Sequence, residues 1–445
     1  MTPSAVRTRR IAVIGAGWAG LAAAVQAVQQ GAAVTVFEMA HAPGGRARLL
    51  HTPAGDFDNG QHILIGAYRE TLALMRRVGA DPTRLLLRGP LVLAYPDGRS
   101  LALPPGTAMQ AFARAVLGAR GWRWAERFAM LAAAGGWLLR GFDCPPTRTV
   151  QQLCAKLPAV VLQDLIEPLC VAALNTPMAQ ASAQVFLRVL RDALFDGRGS
   201  ADLLLPRVSM SALMPEPAWR WLTSVGATCH SGRRVLGLRP NGVGWQVDDE
   251  YFDGVVLACS ATEAARLAGP INPAWSNTAK TLRYEPIITA YLADSNLRLP
   301  HAMLALQTNA QAPAQFVFDL AAISTPCVDS GEQTLGASTR KEPLFAFVVS
   351  GAAPWVAAGL PACGRAILLQ ARAAFSGAFA GPDDQVLRHI TAERRATFAC
   401  TPGLMRPAMH IAAGLAAAGD YIRGPYPATL EGAVRSGQAA AKALE

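Results

Sequence analysis

Charge is scarce in this chain: only 16% of its 445 residues are Asp, Glu, Lys or Arg, while 51% are hydrophobic. It also lacks the uninterrupted apolar run of about 18 or more residues that a spanning helix requires, so no transmembrane helix is expected. The eight cysteines, from Cys144 to Cys400, include no CxxC pair and no metal-ligand spacing. That pattern excludes a zinc framework and suits reduced, mostly buried thiols in a cytosolic protein. Internal repeats and low-complexity linkers are missing as well. At this length one ordinary core does not suffice, and two intertwined domains are the natural expectation.

What charge there is leans one way, with 41 Lys and Arg against 31 Asp and Glu, a net +10. An anionic partner follows, or merely an arginine-rich proteome. The arginines are spread along the chain and no nucleic-acid motif is present, which argues against nucleic acid. A basic, apolar chain suits the anionic inner face of a membrane at least as well, as a peripheral contact. The N-terminal run VRTRRIAVIGAGWAGLAAAV imitates a signal peptide, but its glycine spacing serves another purpose. A cytoplasmic protein is expected.

Residues Arg10 to Ile14 read as a buried parallel strand, followed by Gly15-Ala16-Gly17-Trp18-Ala19-Gly20, an alanine-rich helix, and a second strand from Ala33 to Phe37 closed by Glu38. This is the strand, G-x-G-x-x-G, helix, strand, acid arrangement of a dinucleotide site. Gly15 permits the tight turn, and Gly17 lets a pyrophosphate approach backbone N–H groups at the helix start. Gly20 lets helix and strand pack closely, and Glu38 accepts from the two hydroxyls of an adenosine ribose. An acid here favours an unphosphorylated ribose, hence FAD or NAD. Directly beyond it, Gly44-Gly45-Arg46 forms a second glycine loop, which the longer FAD needs and a nicotinamide cofactor does not.

The run VIGAGWAGLAAA, then Glu38, then PGGRA, resembles the flavin amine oxidase and carotenoid desaturase superfamily. Near the other end, Gly419-Asp420 followed by TLEGAVRSG from Thr429 resembles that superfamily's last flavin motif, so the likeness brackets the chain. It implies an α/β fold, a Rossmann-type FAD-binding domain with an inserted α+β substrate domain, as in amine oxidases. It implies that Asp420, beside Gly419, holds the ribitol or phosphate, that Val235 lies near the adenine, and that the backbone of Leu430 and Glu431 meets the N1/C2 edge of the flavin. The positive end of that last helix suits a reduced, anionic flavin. With no cysteine in residues 401–445, thioether attachment near this motif is excluded and FAD is expected to be non-covalent.

Between these ends, residues 91–103 form a hairpin around Pro96-Asp97-Gly98. Residues 107–140 are helical by pattern, and residues 149–195 continue as helices interrupted by Pro158, Pro168 and Pro177. Short strands follow from Gly226 to Val247, and Tyr251 to Ala258 rejoins a buried sheet. IITAYLAD, QFVFDL and LFAFVVSG alternate as in an antiparallel sheet. The expected division gives the FAD-binding domain residues 1–85, 226–282 and 401–445. The substrate domain then takes 86–225, with a helical cap, and 283–400. An apolar cap over a sheet makes a greasy pocket.

A narrower resemblance comes from DNGQHILIGAYRETLALMRRVG, residues 58–79, with PLCVAALNTP, residues 168–177. Together they are similar to the hydroxysqualene dehydroxylases, also called squalene-associated FAD-dependent desaturases, of hopanoid and squalene biosynthesis. This implies an apolar polyisoprenoid substrate and reductive removal of its allylic hydroxyl, with hydride from flavin N5. The electron donor is not legible, because no second dinucleotide fingerprint is present.

The polar turn Asp58-Asn59-Gly60-Gln61-His62 supplies the candidates. Gly60 allows close approach to the flavin, and Gln61 and His62 are expected among its contacts. For catalysis the expectation is His62 as proton donor with Asp58 orienting it. The alternative is that His62 only bonds backbone or flavin and Asp58 only caps the turn. A metal site from Asp56, Asp58 and His62 is disfavoured, since no second histidine cluster with ligand spacing supports it. Amine oxidation is disfavoured as well, because Thr429 stands where an aromatic cage residue would. Two rival activities keep the same fold: a polyisoprenoid desaturase, which runs the redox direction oppositely, and a prenyl-binding protein without catalysis.

Overall fold

The computed structural model describes residues 8–195, 197–324 and 343–444; Cys327 lies outside them. Its first sheet grows from the two strands read in the sequence. Arg10–Ile14 and Ala33–Phe37 pair in parallel, Arg10 opposite Ala33 and Ile14 opposite Phe37. Branched residues buried on both faces favour such a strand. Thr228–His230 adds outside Ala33–Phe37, Gly254–Leu257 and Leu415–Ala417 add in parallel on the other side, and His410–Ala412 closes the edge antiparallel. Three widely separated pieces of chain thus share one six-stranded sheet.

Helix Trp18–Gln29 crosses between the first two strands, and nine of its residues are buried. The C-terminal helix Leu430–Lys442 lies against it so closely that a Cβ on Gly437 would stand 2.0 Å from the Ala19 carbonyl oxygen. A second sheet is antiparallel, in the order Met303–Ala305, Phe316–Asp319, Leu344–Val349, Tyr284–Ala293, Leu387–Phe398. Its buried face carries Ile288, Leu292, Phe345 and Phe347 against helix Leu360–Ala374.

Three local expectations are corrected. The helical stretch 107–140 is two helices, Ala108–Leu117 and Trp124–Leu139, parted by a turn through Gly118 and a positive-φ Gly121. The run 251–258 divides between strand Glu250–Phe252, in a small antiparallel meander, and Gly254–Leu257 in the parallel sheet. Asp253 marks the change, accepting from Arg10 N through its carboxylate at 2.7 Å. Pro168 does not interrupt its helix. A π-helical turn, Leu162–Ile166, runs into Glu167–Leu174 without a break. Proline has no N–H for the carbonyl four residues back, that of Asp164, and the Tyr95 hydroxyl donates to it instead at 3.2 Å.

Candidate functional site: a glycine-lined cleft

Two glycine loops meet at the C-terminal end of the first sheet. Gly17 and Gly44 form a parallel bridge, Gly44 N donates to Ala16 O at 2.9 Å, and a Cβ on Gly45 would stand 3.3 Å from Gly17 Cα. Gly15 has φ +105°, where side chains are strained, and a Cβ on Gly20 would stand 1.8 Å from Gly15 O. Gly17 is the N-cap of Trp18–Gln29 and offers no side-chain cap, so the first N–H groups of that helix are left for a ligand. Trp18 is buried, its indole N–H directed to Ala47 O at 3.4 Å.

Glu38 is buried at the end of its strand. Its two carboxylate oxygens accept from Ala16 N at 2.6 Å and Ala40 N at 2.7 Å, which aims the group across the first loop. Arg233 N donates to Glu38 O, so the segment leading to buried Val235 runs alongside. A cradle of bare backbone, an open helix end and a fixed carboxylate form a set that fits a dinucleotide bearing ribose hydroxyls.

Arg46 reaches from the second loop to Asp420 at 2.5 Å and to Ala396 O at 2.8 Å. Asn59 joins the same knot, donating to Arg46 O at 3.0 Å and to the Glu393 carboxylate at 2.9 Å. Gly419 N donates to Ser436 Oγ at 2.7 Å, holding the Gly419-Asp420 turn against the C-terminal helix. Asn59 stood in a stretch rich in amides, but Glu393 lies in a strand with no motif and was not foreseen.

Thr429 caps the C-terminal helix, its hydroxyl accepting from Gly432 N at 2.9 Å, which is a physical reason for a hydroxyl where an aromatic was considered. Leu430 begins that helix. The Glu431 side chain turns away from the cleft and is fully buried. It accepts from Thr71 N at 2.9 Å, Thr71 Oγ1 at 2.7 Å, Glu70 N at 3.1 Å and Arg435 Nε at 2.7 Å. It therefore braces two helices.

The structure does not join His62 to Asp58. One Asp58 carboxylate oxygen accepts from Met210 N at 2.9 Å, while His62 Nδ1 lies 2.9 Å from Gly60 O. A carbonyl only accepts, so Nδ1 carries the hydrogen and Nε2 of the neutral ring is an acceptor. Burial, aided by the Arg46 charge, lowers the His62 pKa, with the Gly60 carbonyl and Glu393 opposing. In this tautomer the neutral ring offers Nε2 as a hydrogen-bond acceptor. Asp56 pairs with His51 across the same hairpin at 2.8 Å. Gln61 is half-buried in the same turn.

Above this turn stands the second sheet. The Tyr291 hydroxyl donates to Asp58 O at 2.8 Å. A Cβ on Gly60 would meet Thr289 Oγ1 at 3.7 Å and His62 Cε1 at 3.9 Å, so the three converge. Thr289 Oγ1 is buried and has no hydrogen-bond partner among the described residues. Beside the first glycine loop, where a Cβ on Gly15 would stand 2.9 Å from Cys259 N, burial pushes the Cys259 thiol up to about 12.

Segment 168–177 ties the cap to the sheet. Asn175, at a positive φ of 45°, donates from its amide to Glu285 O at 3.1 Å and Thr397 Oγ1 at 3.0 Å and accepts from Gly351 N at 2.7 Å. Within the cap, a small cavity of about 20 Å³ is lined by Phe112, Met130, Trp137, Leu165 and Leu190 among other apolar residues.

Residues 18–444 match the profile of the flavin containing amine oxidoreductases. A hydroxysqualene dehydroxylase from Rhodopseudomonas palustris is 26% identical, across 98% of both chains. A hydroxyneurosporene desaturase from Rhodobacter capsulatus is 43% identical over 113 residues, 23% of this chain and 22% of that one. Among solved structures, an oxidoreductase from Methanosarcina mazei superposes with a TM-score of 0.71 at 16% identity, covering 97% of this chain and 99% of that one.

Proposed function

Since the chain belongs to the flavin containing amine oxidoreductase family and is a flavin-dependent oxidoreductase, we propose that it binds FAD non-covalently and reductively dehydroxylates hydroxysqualene to squalene. The apolar lining of the small cap cavity agrees with an apolar substrate, and the observation that carries the substrate class is the similarity over nearly the whole chain. The near-complete overlap with hydroxysqualene dehydroxylases supports the choice of polyisoprenoid and of reaction.

In this reading the two glycine loops and the helix end at Gly17 hold the pyrophosphate, Glu38 the adenosine ribose, and the Arg46–Asp420 pair the ribitol side. Leu430 and Glu431 present backbone N–H groups toward the ring. Held there, a fully reduced flavin would supply both the hydride for the allylic carbon and the proton equivalent with which the hydroxyl leaves as water. His62 Nε2 accepts from the substrate hydroxyl and orients it. The Thr289 hydroxyl is the neighbouring hydrogen-bond donor to the same oxygen and keeps its own proton. The apolar cap holds the chain and keeps water from returning the alcohol.

A second reading, dehydrogenation of a similar polyene by oxidised flavin, draws on the local similarity to hydroxyneurosporene desaturase. One anaerobic experiment separates them. Chemically reduced protein incubated with hydroxysqualene is expected to yield squalene by gas chromatography. No squalene, together with dehydrogenation of a polyene such as phytoene by the oxidised protein, favours the second reading. A preparation that releases no FAD on denaturation sinks both.

A further inference from the structure

Helix Trp124–Leu139 is apolar on two opposite sides. Met130 and Trp137 face inward and line the cap cavity. At about 100° per residue, Trp124, Phe128, Leu138 and Leu139 fall on the other side within an arc about 100° wide. These four are 61%, 60%, 40% and 90% exposed. A globular surface helix ordinarily shows one apolar stripe, turned to the core.

The outer side forms a connected patch. The Trp124 and Phe128 rings stack with centroids 6.0 Å apart, and the Arg127 guanidinium lies over the indole at 4.7 Å. Arg127 also donates to Leu117 O at 2.7 Å, bringing exposed Leu117 of the preceding helix alongside. Residues 108–142 hold five arginines, at 114, 120, 123, 127 and 140, against one carboxylate, Glu126. Glu126 is buried and paired with Arg123 at 2.9 Å, so it does not offset the others at the surface.

We infer that this face docks onto an anionic lipid bilayer, with Trp124, Phe128 and Leu139 entering the headgroup boundary and the arginines resting among lipid phosphates. Charge complementarity selects lipid over a second copy of the chain, because the same face on a partner would meet arginine with arginine. Indole at the interface and guanidinium groups beside it are the composition of an in-plane anchor. Among the described residues no helix is long and apolar enough to cross a membrane, so the attachment lies on the surface. The cavity on the opposite side of the same helix then sits about one helix diameter, roughly 10 Å, from the bilayer. This inference stands on the patch itself and does not depend on the redox reading above.

The test is co-sedimentation of the flavin-loaded protein with phosphatidylglycerol vesicles and with phosphatidylcholine vesicles, comparing wild type with the triple variant Trp124→Ser, Phe128→Ser, Leu139→Ser. Wild type is expected to bind the anionic vesicles at least tenfold more tightly than either the zwitterionic ones or the variant binds anionic ones. Flavin content and turnover of detergent-dispersed substrate are expected to be unchanged in the variant, which separates this result from a failure of the proposed reaction. Equal vesicle binding by wild type and variant overturns the inference. So does a lipid-indifferent wild-type dimer, seen by light scattering, that the variant abolishes.

Discussion

Replacing Gly437 by alanine sets two effects of opposite sign against each other. In a helix interior the change gains about 1 kcal/mol of propensity. Here the new methyl would stand 2.0 Å from Ala19 O, 2.9 Å from Ala19 C and 3.0 Å from Ala23 N, all backbone atoms of the first helix. Backbone cannot swing aside as a side chain does, so the two helices must part by about 1 Å or more. Overpacking of this kind costs about 3 kcal/mol or more at its upper end. The net loss is about 2 kcal/mol, and with about 2.1 cal/mol/K of unfolding entropy per residue this lowers Tm by about 2 °C. Gly135 supplies the control: it lies within helix Trp124–Leu139 and an added Cβ meets nothing within 4 Å. Gly135→Ala is therefore expected to raise Tm by about 1 °C. Differential scanning calorimetry of both variants decides the matter. A Gly437→Ala protein that melts as high as Gly135→Ala would refute the packing argument and, with it, the close seating of the helix that opens at Gly17.

Glu38→Gln keeps an amide able to bond only in part to Ala16 and Ala40 N–H groups and removes the charge offered to ribose; flavin content per polypeptide should fall at least tenfold, measured by absorbance after gel filtration. Glu431→Gln leaves donors from Glu70, Thr71 and Arg435 facing an amide nitrogen, and denaturant titration should show a loss of about 3 kcal/mol. For His62, the unfolded ring takes up a proton near pH 6.5 while the folded one, its pKa lowered by burial, does so only at lower pH. The unfolded state thus binds more protons in that window, and stability falls as pH drops below about 6.5. The drop should be smaller in His62→Gln, compared by melting at pH 7.5 and 5.5. Asp58→Asn should weaken the tie to Met210 N and lower stability by about 1 kcal/mol with little effect on reductive turnover per bound flavin, whereas His62→Gln should lower that turnover.

Much of the cleft was legible because its requirements are local. Tight turns ask for glycine, helix starts for open N–H groups, and a ribose for an acid at a strand end. Gly15, Gly17, Gly20 and Glu38 therefore announce themselves through spacing alone. The tautomer of His62 was not legible, because it depends on a carbonyl two residues back meeting one ring nitrogen in the folded turn. The Asp58 tie to Met210 spans 152 positions, and the Asn59 tie to Glu393 spans 334, so no window of sequence holds both partners. The passage of a helix through Pro168 was hidden for a similar reason: its freed carbonyl is satisfied by Tyr95, far upstream on a hairpin.

Assembling one sheet from pieces so far apart imposes an order in time. Strand Gly254–Leu257 finds its neighbour Arg10–Ile14 already made, but its other flank waits for Leu415–Ala417. At about 5–20 residues per second, the 158 residues from Leu257 to Leu415 take roughly 8–30 s to synthesise. Throughout that interval the nascent chain presents a bare row of backbone donors and acceptors along a hydrophobic strand, the template on which aggregation starts. The Gly419-Asp420 turn emerges later still, so the cleft stays open on one side until the closing helix docks. Ribosome-bound chains halted before residue 410 should therefore depend on chaperones, while those released beyond residue 444 should not.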